Sequence, residues 1–406
     1  MSQESSSAHR LSRVVLIAVL CGGTIMGITV GIRQTFGLFL APISIDLGLG
    51  RETFALGMGL MNLFWGLAAP FAGAIADKHG AGRVAVIGGI CYAAGLAAMT
   101  LSGAGEQLLL GGLLVGLGLS GAGFTVVLGA VGRAAPPEKR TMALGMASMG
   151  GSIGQFLALP YTHLLIEWLG WSASLLALAV TALLVVPLAY GIAGGGTETP
   201  ERPDQTVADA FHEARRHGGF WLLTAGFFVC GFHLAFVAVH LPAYLSDKQM
   251  PEWLAAATLT LVGLCNILGT YACGYLGQRY SKKKVLSLLY LARALIFLLF
   301  LVMPLTEYSV LAFGALMGFL WLGTVPLTSG LVAQVFGPTY LSMLFGIVFF
   351  SHQLGGFLGA WLAGYAYDYL GNYDAMWWFS VLLGIFSALL HWPIDERPLP
   401  RLAPAE

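Results

Sequence analysis

Gly73 to Arg83 reads GAIADKHGAGR, and 201 positions later Gly274 to Lys284 reads GYLGQRYSKKK. Each is a short, basic, glycine-bounded loop between long apolar runs, and the same offset carries Gly145 and Gly154 to Gly346 and Gly355. Separate motifs sharing one period argue for a chain made of two copies of one unit, as in membrane proteins built from repeated bundles. Near the start of each half the offset becomes 200, pairing Pro42 with Pro242 and Arg33 with His233.

Outward from these loops the chain divides into twelve apolar segments, starting near Val14, Thr53, Val84, Leu108, Met142, Trp171, Phe220, Leu254, Val285, Val310, Leu341 and Met376. Of the 406 residues, 57% are hydrophobic and 10% charged, with mean hydropathy +0.79. A soluble globule carries about 25% charged residues, so that class is excluded. A helix crossing the roughly 30 Å hydrocarbon layer needs about 20 apolar residues, which each segment supplies. The expected fold is all-α and integral to the membrane, with twelve transmembrane helices in two pseudo-symmetric six-helix bundles. The expected organisation is a tail at 1–13, a first bundle at 14–192, a linker at 193–219, a second bundle at 220–392 and a tail at 393–406. The linker (GGGTETPERPDQTVADAFHEARRHGG from Gly194) is polar and has room for a short amphipathic helix. The first apolar run is too long for a cleaved signal peptide and is read as a retained span.

Sixteen of the twenty Lys and Arg residues fall on one side if the N-terminus is cytoplasmic, whereas the opposite loops hold Arg51 and Lys248. Positive charge marks the cytoplasmic side, so both termini are expected there, in a multi-pass protein of the cell's inner (plasma) membrane. The formal net charge is zero, which provides no field for nucleic acid. Five cysteines lie singly in apolar runs with no C-x-x-C pair or His cluster, so neither metal nor disulfide is expected. Gly116, Gly118 and Gly121 spell G-x-G-x-x-G inside an unbroken apolar helix, where glycines serve close helix packing. The run Gly145, Gly150, Gly151 and Gly154 reads as another packing face, on which bundles could also rock. There is no nucleophile triad or nucleotide-hydrolysis loop, so the chain is read as a gradient-driven transporter needing no cofactor, not as an enzyme.

Polar side chains at membrane depth are costly and each needs a reason. Arg33 and Arg293 are the two basic residues inside spans, and the carboxylates all fall in loops, tails or span ends, with Asp77 and Asp368 at boundaries. Arg33 therefore has no intramembrane acid, which points to an anionic substrate held by a bidentate pair. The alternative is an Arg that snorkels to the outer interface; Gln34 and Thr35 beside it, and the repeat-related His233, favour the inward reading. Arg293, nine residues past Lys284, is a weaker pointer to a substrate site, since snorkelling to the cytoplasm or pairing with a loop carboxylate accounts for it at least as well. Further mid-span polar residues are Asn62, Ser152, Gln155, His240, Asn266, Thr270, Tyr271, Thr324, Ser351, His352 and Gln353. Imidazole alone among these titrates near neutral pH, which makes His352 the candidate for proton coupling ahead of His233 and His240. The other reading of His352 is a neutral histidine bonded to a neighbouring helix.

The loop Gly73-x-x-x-Asp77-Lys78-x-Gly80-x-x-Arg83 resembles the signature loop of the major facilitator superfamily, and the likeness extends over essentially the full chain. That resemblance implies a latch joining the bundles in the outward-open state, weaker in the second copy where Gln278 replaces the acid. Arg33-Gln-Thr-Phe-Gly-Leu-Phe, and Lys139-Arg140-Thr-Met-Ala-Leu-Gly145 running on to Gly150, are similar to motifs of the monocarboxylate-transporter branch, including its bacterial members. In that branch an eighth-span acid or Asn is followed four residues later by an Arg that grips the carboxylate; here those places hold Asn266 and Thr270. The resemblance also implies His352 as a cavity residue. The expectation is a monomeric secondary transporter in the lipid bilayer, moving a small organic anion, a monocarboxylate, with protons as a candidate coupling ion. The substrate-binding candidates are Arg33, Gln155, His233, Asn266, Thr270 and His352. Efflux of amphipathic or aromatic compounds is the alternative; a transporter-like sensor is disfavoured by a linker without a docking motif.

Overall fold

The computed structural model describes residues 2–48, 51–101, 105–193 and 205–402. Linker residue Arg202 and the side chains of Arg10, Arg51 and Asp368 lie outside the described residues. The chain is 88% helical, with no strand among the described residues. Eleven stretches are long and apolar enough to cross a bilayer, and one of them, Pro137–Ala193, has 57 residues. At 1.5 Å per residue it would run about 85 Å, nearly three times the hydrocarbon thickness. Gly170 breaks it with φ 75° and ψ 170°, a conformation open to glycine alone, so it folds as two spans and the total is twelve.

The spans in order are Arg13–Phe39, Gly57–His79, Ala81–Ala98, Gly105–Ala134, the two halves of Pro137–Ala193, Gly218–Pro242, Trp253–Arg279, Lys282–Val302, Glu307–Phe336, Leu341–Gly364 and Asp374–His391. The first span packs chiefly on the fifth and the second on the fourth; in the second half the seventh packs on the eleventh and the ninth on the twelfth. Large apolar side chains such as Phe71, Val180, Leu268 and Leu389 stand exposed, the surface expected where lipid replaces water. The end carrying the 73–83 and 274–284 loops is called the basic end below.

Between the halves, Val207–Arg216 forms a short helix with a capping box, in which Asp209 N–H donates to Thr206 Oγ1 and the Thr206 N–H donates to Asp209. The Thr206 hydroxyl, donating to the Asp209 carboxylate at 2.7 Å, and then the Thr206 N–H hold this exposed carboxyl below its ordinary pKa. The tail after the twelfth span returns across the basic end. There Glu396 accepts from Ser281 and from the Lys283 N–H at the start of the ninth span, and Arg401 pairs with Glu213 of the linker helix.

The fourth and tenth spans are each broken at mid-depth, into Gly105–Ala122 and Phe124–Ala134, and into Glu307–Phe319 and Thr324–Phe336. A broken helix frees backbone groups that lipid cannot satisfy, so side chains must. In the first half Thr29 Oγ1 donates to the Ala122 carbonyl at 3.2 Å. In the second half Arg293 Nη2 donates to the carbonyls of Leu320 and Trp321, and Asn266 Oδ1 accepts the Leu322 N–H at 3.0 Å. Arg293 is therefore fully buried in the second bundle, with its guanidinium 5.3 Å from the Tyr290 ring centre. It neither snorkels nor meets a loop carboxylate, because the freed carbonyls of the tenth span supply the acceptors that such a partner would have provided.

Candidate functional site

Two seams join the bundles: the second span against the eleventh, and the fifth against the eighth. The 201-residue offset makes them comparable position by position. At the basic end of the first seam the Asp77 side chain is fully buried and pairs with Arg133 of the fourth span. It also accepts the backbone N–H groups of Ser342 and Met343, at 3.2 and 2.8 Å, at the start of the eleventh span. The first N–H groups of a helix have no partner within it, and the dipole there favours a negative charge. A Cβ at Gly73 would collide with the Ser342 carbonyl, so this approach needs glycine. Gly80 turns the chain with φ 98°, while Lys78 and Arg83 stand exposed.

At the matching point of the second seam, Gln278 Oε1 accepts the N–H of Thr141 at 2.9 Å. Thr141 and Ser342 are related by the repeat, so Gln278 makes the same helix-start contact as Asp77, with one neutral acceptor in place of a carboxylate. Gly145 lies against Gly274, where a Cβ would come within 2.7 Å of the facing Cα. Gly150 and Gly154 face Gly23 and Gly27 of the first span instead, so those two pack inside the first bundle.

At mid-depth the second seam is closed by hydrogen bonds. Asn266 Nδ2 donates to Ser152 Oγ at 3.0 Å, Thr270 Oγ1 donates to Asn266 Oδ1 at 3.0 Å, and the Ser152 and Thr270 hydroxyls lie 3.4 Å apart. Ser152, Asn266 and Thr270 are fully buried. Sequence pattern alone presents Asn266 and Thr270 as cavity groups; the structure engages both in holding the bundles together and in serving the tenth-span break. Gln155, about one turn further along the fifth span, is half-buried with no hydrogen-bond partner among the described residues.

The first seam is closed at the same level by aromatic rings. Trp65, the repeat partner of Asn266, meets Phe349 of the eleventh span with ring centres 5.0 Å apart, and Phe124 lies 6.5 and 6.0 Å from the two. Phe349 stacks on His352 at 5.4 Å and 5°. On the side away from the basic end, the Arg33 guanidinium sits 5.2 Å from the Trp65 ring centre, and Nη2 donates to Asn62 Oδ1 at 2.7 Å. Asn62 is oriented by donating its own amide to the Met58 carbonyl at 3.0 Å. No ion pair among the described residues includes Arg33.

Four buried side-chain nitrogens around this cluster have no hydrogen-bond partner: Arg33 Nε, Trp65 Nε1, His352 Nε2 and Gln353 Nε2. Three are obligate donors. For the fourth, His352 Nδ1 lies 3.1 Å from Gln353 Oε1, an acceptor, so Nδ1 carries the hydrogen and Nε2 is left as an acceptor, with the Cys230 thiol among the ring's neighbours. Buried unpaired groups are places where a water, an ion or a ligand can complete the bonding; others stand elsewhere in the molecule, such as Ser148 Oγ and Trp377 Nε1, but here four gather in one cluster.

His233 is not brought to this cluster. It is fully buried inside the second bundle, with Nε2 2.9 Å from the Ser380 carbonyl and its ring 4.8 Å from that of Phe297. The repeat therefore aligns Arg33 and His233 in sequence but not in environment. His240 is also held within that bundle, by the Ala360 carbonyl and the Tyr373 hydroxyl. Trp65, Phe124 and Phe349 were absent from the sequence-derived candidates because aromatic residues in apolar spans read as packing. Counting back the 201-residue offset from Asn266 leads to Trp65, and that is the signal the sequence offers.

Two six-helix bundles repeated in sequence, meeting along two seams with polar groups at mid-depth, are the architecture of a membrane transporter. The chain belongs to the Major Facilitator Superfamily, whose sequence pattern matches residues 17–327 and 255–406. Among curated proteins it is 22% identical to the uncharacterized MFS-type transporter YcxA of Bacillus subtilis (84% of this chain, 85% of that one). It is 26% identical to monocarboxylate transporter 12 of Rattus norvegicus (80% and 74%). Among solved structures, the E. coli fucose:proton symporter FucP superposes with TM-score 0.70 at 17% identity, over 93% of this chain and 98% of that one. At that identity the likeness is one of fold.

Proposed function

We propose that this transporter moves a small organic anion, a monocarboxylate, by alternating access, with a proton carried on His352. One observation carries the reading: at mid-depth a guanidinium with no carboxylate partner among the described residues lies among buried, unpartnered hydrogen-bond donors. One uncompensated cation fits one carboxylate, and Arg offers the forked geometry that grips it. His352 Nε2 gains a donor when protonated, so proton and anion favour each other's binding. The curated monocarboxylate transporters at about a quarter identity support the substrate class.

In this reading the basic end is cytoplasmic, both termini included, since the retained positive charge gathers there. The contacts from Asp77 to Trp65 and from Gln278 to Asn266 then close the cytoplasmic half of both seams. Asp77, with Gly73 and Gly80 shaping its approach, latches that closure, and Lys78 and Arg83 supply surface charge. Arg33, Asn62, His352 and Gln353 form the binding level, with Gln155 beside it. Asn266 and Thr270 act as the gate under it.

The test is thermal unfolding of purified protein against mono- and dicarboxylates, amino acids, sugars and cationic drugs, followed by flux in proteoliposomes. A ligand at 100 times its Kd adds about 2.7 kcal/mol, a readable shift in Tm. Monocarboxylates alone should stabilise, and Arg33→Gln should abolish the shift. Stabilisation by cations with no effect of Arg33→Gln overturns the proposal. For coupling, His352→Gln should remove the pH dependence of uptake.

A further inference from the structure

We propose that Trp65, with Phe349 across the seam, makes this site selective for a monocarboxylate whose body is a flat aromatic group; this rests on the anion reading above and names its substrate class. The two seams are related by the repeat, yet they close differently: at the second seam the Ser148 hydroxyl is left unpaired, whereas at the first it is side-chain nitrogens, among them Trp65 Nε1. Asn266 spends its amide on Ser152, Thr270 and Leu322. Its counterpart Trp65 keeps a buried indole N–H with no partner, one span away from the unpartnered Nε of Arg33. Both are donors, and both belong to the group stacked as cation over ring. A carboxylate gripped by Arg33 therefore meets the face of the Trp65 ring, whose own N–H lies at the ring edge beside Gly123.

The rest of the ligand must then lie against that ring and what surrounds it. Those surfaces are ring faces and edges: Trp65, Phe124, Phe349 and, stacked behind, His352. Aromatic rings gain from offset or edge-on contact with another ring beyond the area they bury. An acetate-sized anion leaves these faces unused. A dicarboxylate brings a second charge into surroundings that hold one unpaired cation, which is costly. The group that uses both features is an aryl monocarboxylate.

The experiment is flux of three probes into proteoliposomes holding the purified full chain: phenylacetate, cyclohexylacetate of similar size without a flat ring, and acetate. The expected result is phenylacetate preferred by about tenfold in kcat/KM over both others. Trp65→Leu should cut the ratio of phenylacetate to cyclohexylacetate about tenfold, and Trp65→Phe should restore most of that ratio while losing the N–H. If Trp65→Leu does not fold, Phe349→Leu reads the same ratio. A wild-type ratio near one, or a ratio unmoved by these variants, overturns the inference while carboxylate flux keeps the anion reading standing. Failure of all three probes, with transport of a cation or neutral solute instead, overturns the anion reading itself.

Discussion

Replacing Asp77 by Asn tests whether closure at the basic end is held by a carboxylate at a helix start. The Asp77–Arg133 pair lies wholly within the first bundle, so the pair itself is not a contact across the seam. What is lost on opening is the pair of bonds that Asp77 accepts from the Ser342 and Met343 N–H groups, together with the bond that Arg133 Nη1 donates to Ser342 Oγ at 3.2 Å. Hydrogen bonds to a charged acceptor contribute about 1.5–3 kcal/mol each, against about 0.5–1.5 for neutral ones. Asn keeps one neutral acceptor and turns an NH2 toward a second N–H, so closure should weaken by roughly 2 kcal/mol or more, about 30-fold in the equilibrium. Hydrogen exchange at 342–343 would change merely because an acceptor is gone. The telling readout is the other seam, at the Thr141 N–H bonded to Gln278 and the residues following it, which Asp77 does not touch. Exchange there should quicken by about the same factor if the bundles open as rigid bodies. Unchanged exchange at 141–145 in Asp77→Asn would refute the reasoning.

Gln278→Glu should strengthen the second seam by putting a charge at the start of the fifth span, slowing exchange at Thr141 and lowering turnover in flux assays. Asn266→Ala leaves the Leu322 N–H buried without its acceptor, and a loss of about 1–3 kcal/mol in thermal stability follows. Arg293→Met frees the Leu320 and Trp321 carbonyls at the tenth-span break; the cost should be read as a lower Tm, part of which Arg293→Lys recovers. The Asp209 capping box has its own pH signature. Because the folded carboxyl is held below its ordinary pKa, its contribution is complete above the unfolded value and is lost as pH falls through the folded one. Exchange across 207–216 should accordingly rise in acid, and Asp209→Asn should largely remove that dependence.

Much of this architecture can be read without coordinates, because a bilayer imposes its demands locally. Each crossing must carry its own run of apolar residues, positive charges gather at one set of loops, and a duplication leaves a constant offset such as that linking Asp77 to Gln278 and Gly145 to Gly346. Arg33 stood out on the same ground, as a cation in a span without an acid. What side chains do inside the membrane depends instead on which helix faces which, and hydropathy does not encode that. Arg33 and His233 occupy matching places in sequence, yet one lies over Trp65 and the other is closed in against Ser380. Arg293 looked like an interface residue until the tenth span proved to be broken beside it, with carbonyls needing a donor. Asn266 and Thr270 spend their hydrogen bonds on the seam, while an indole that reads as packing has one to spare. Burial without a partner is a property of three-dimensional neighbours, and only the packed bundles decide it.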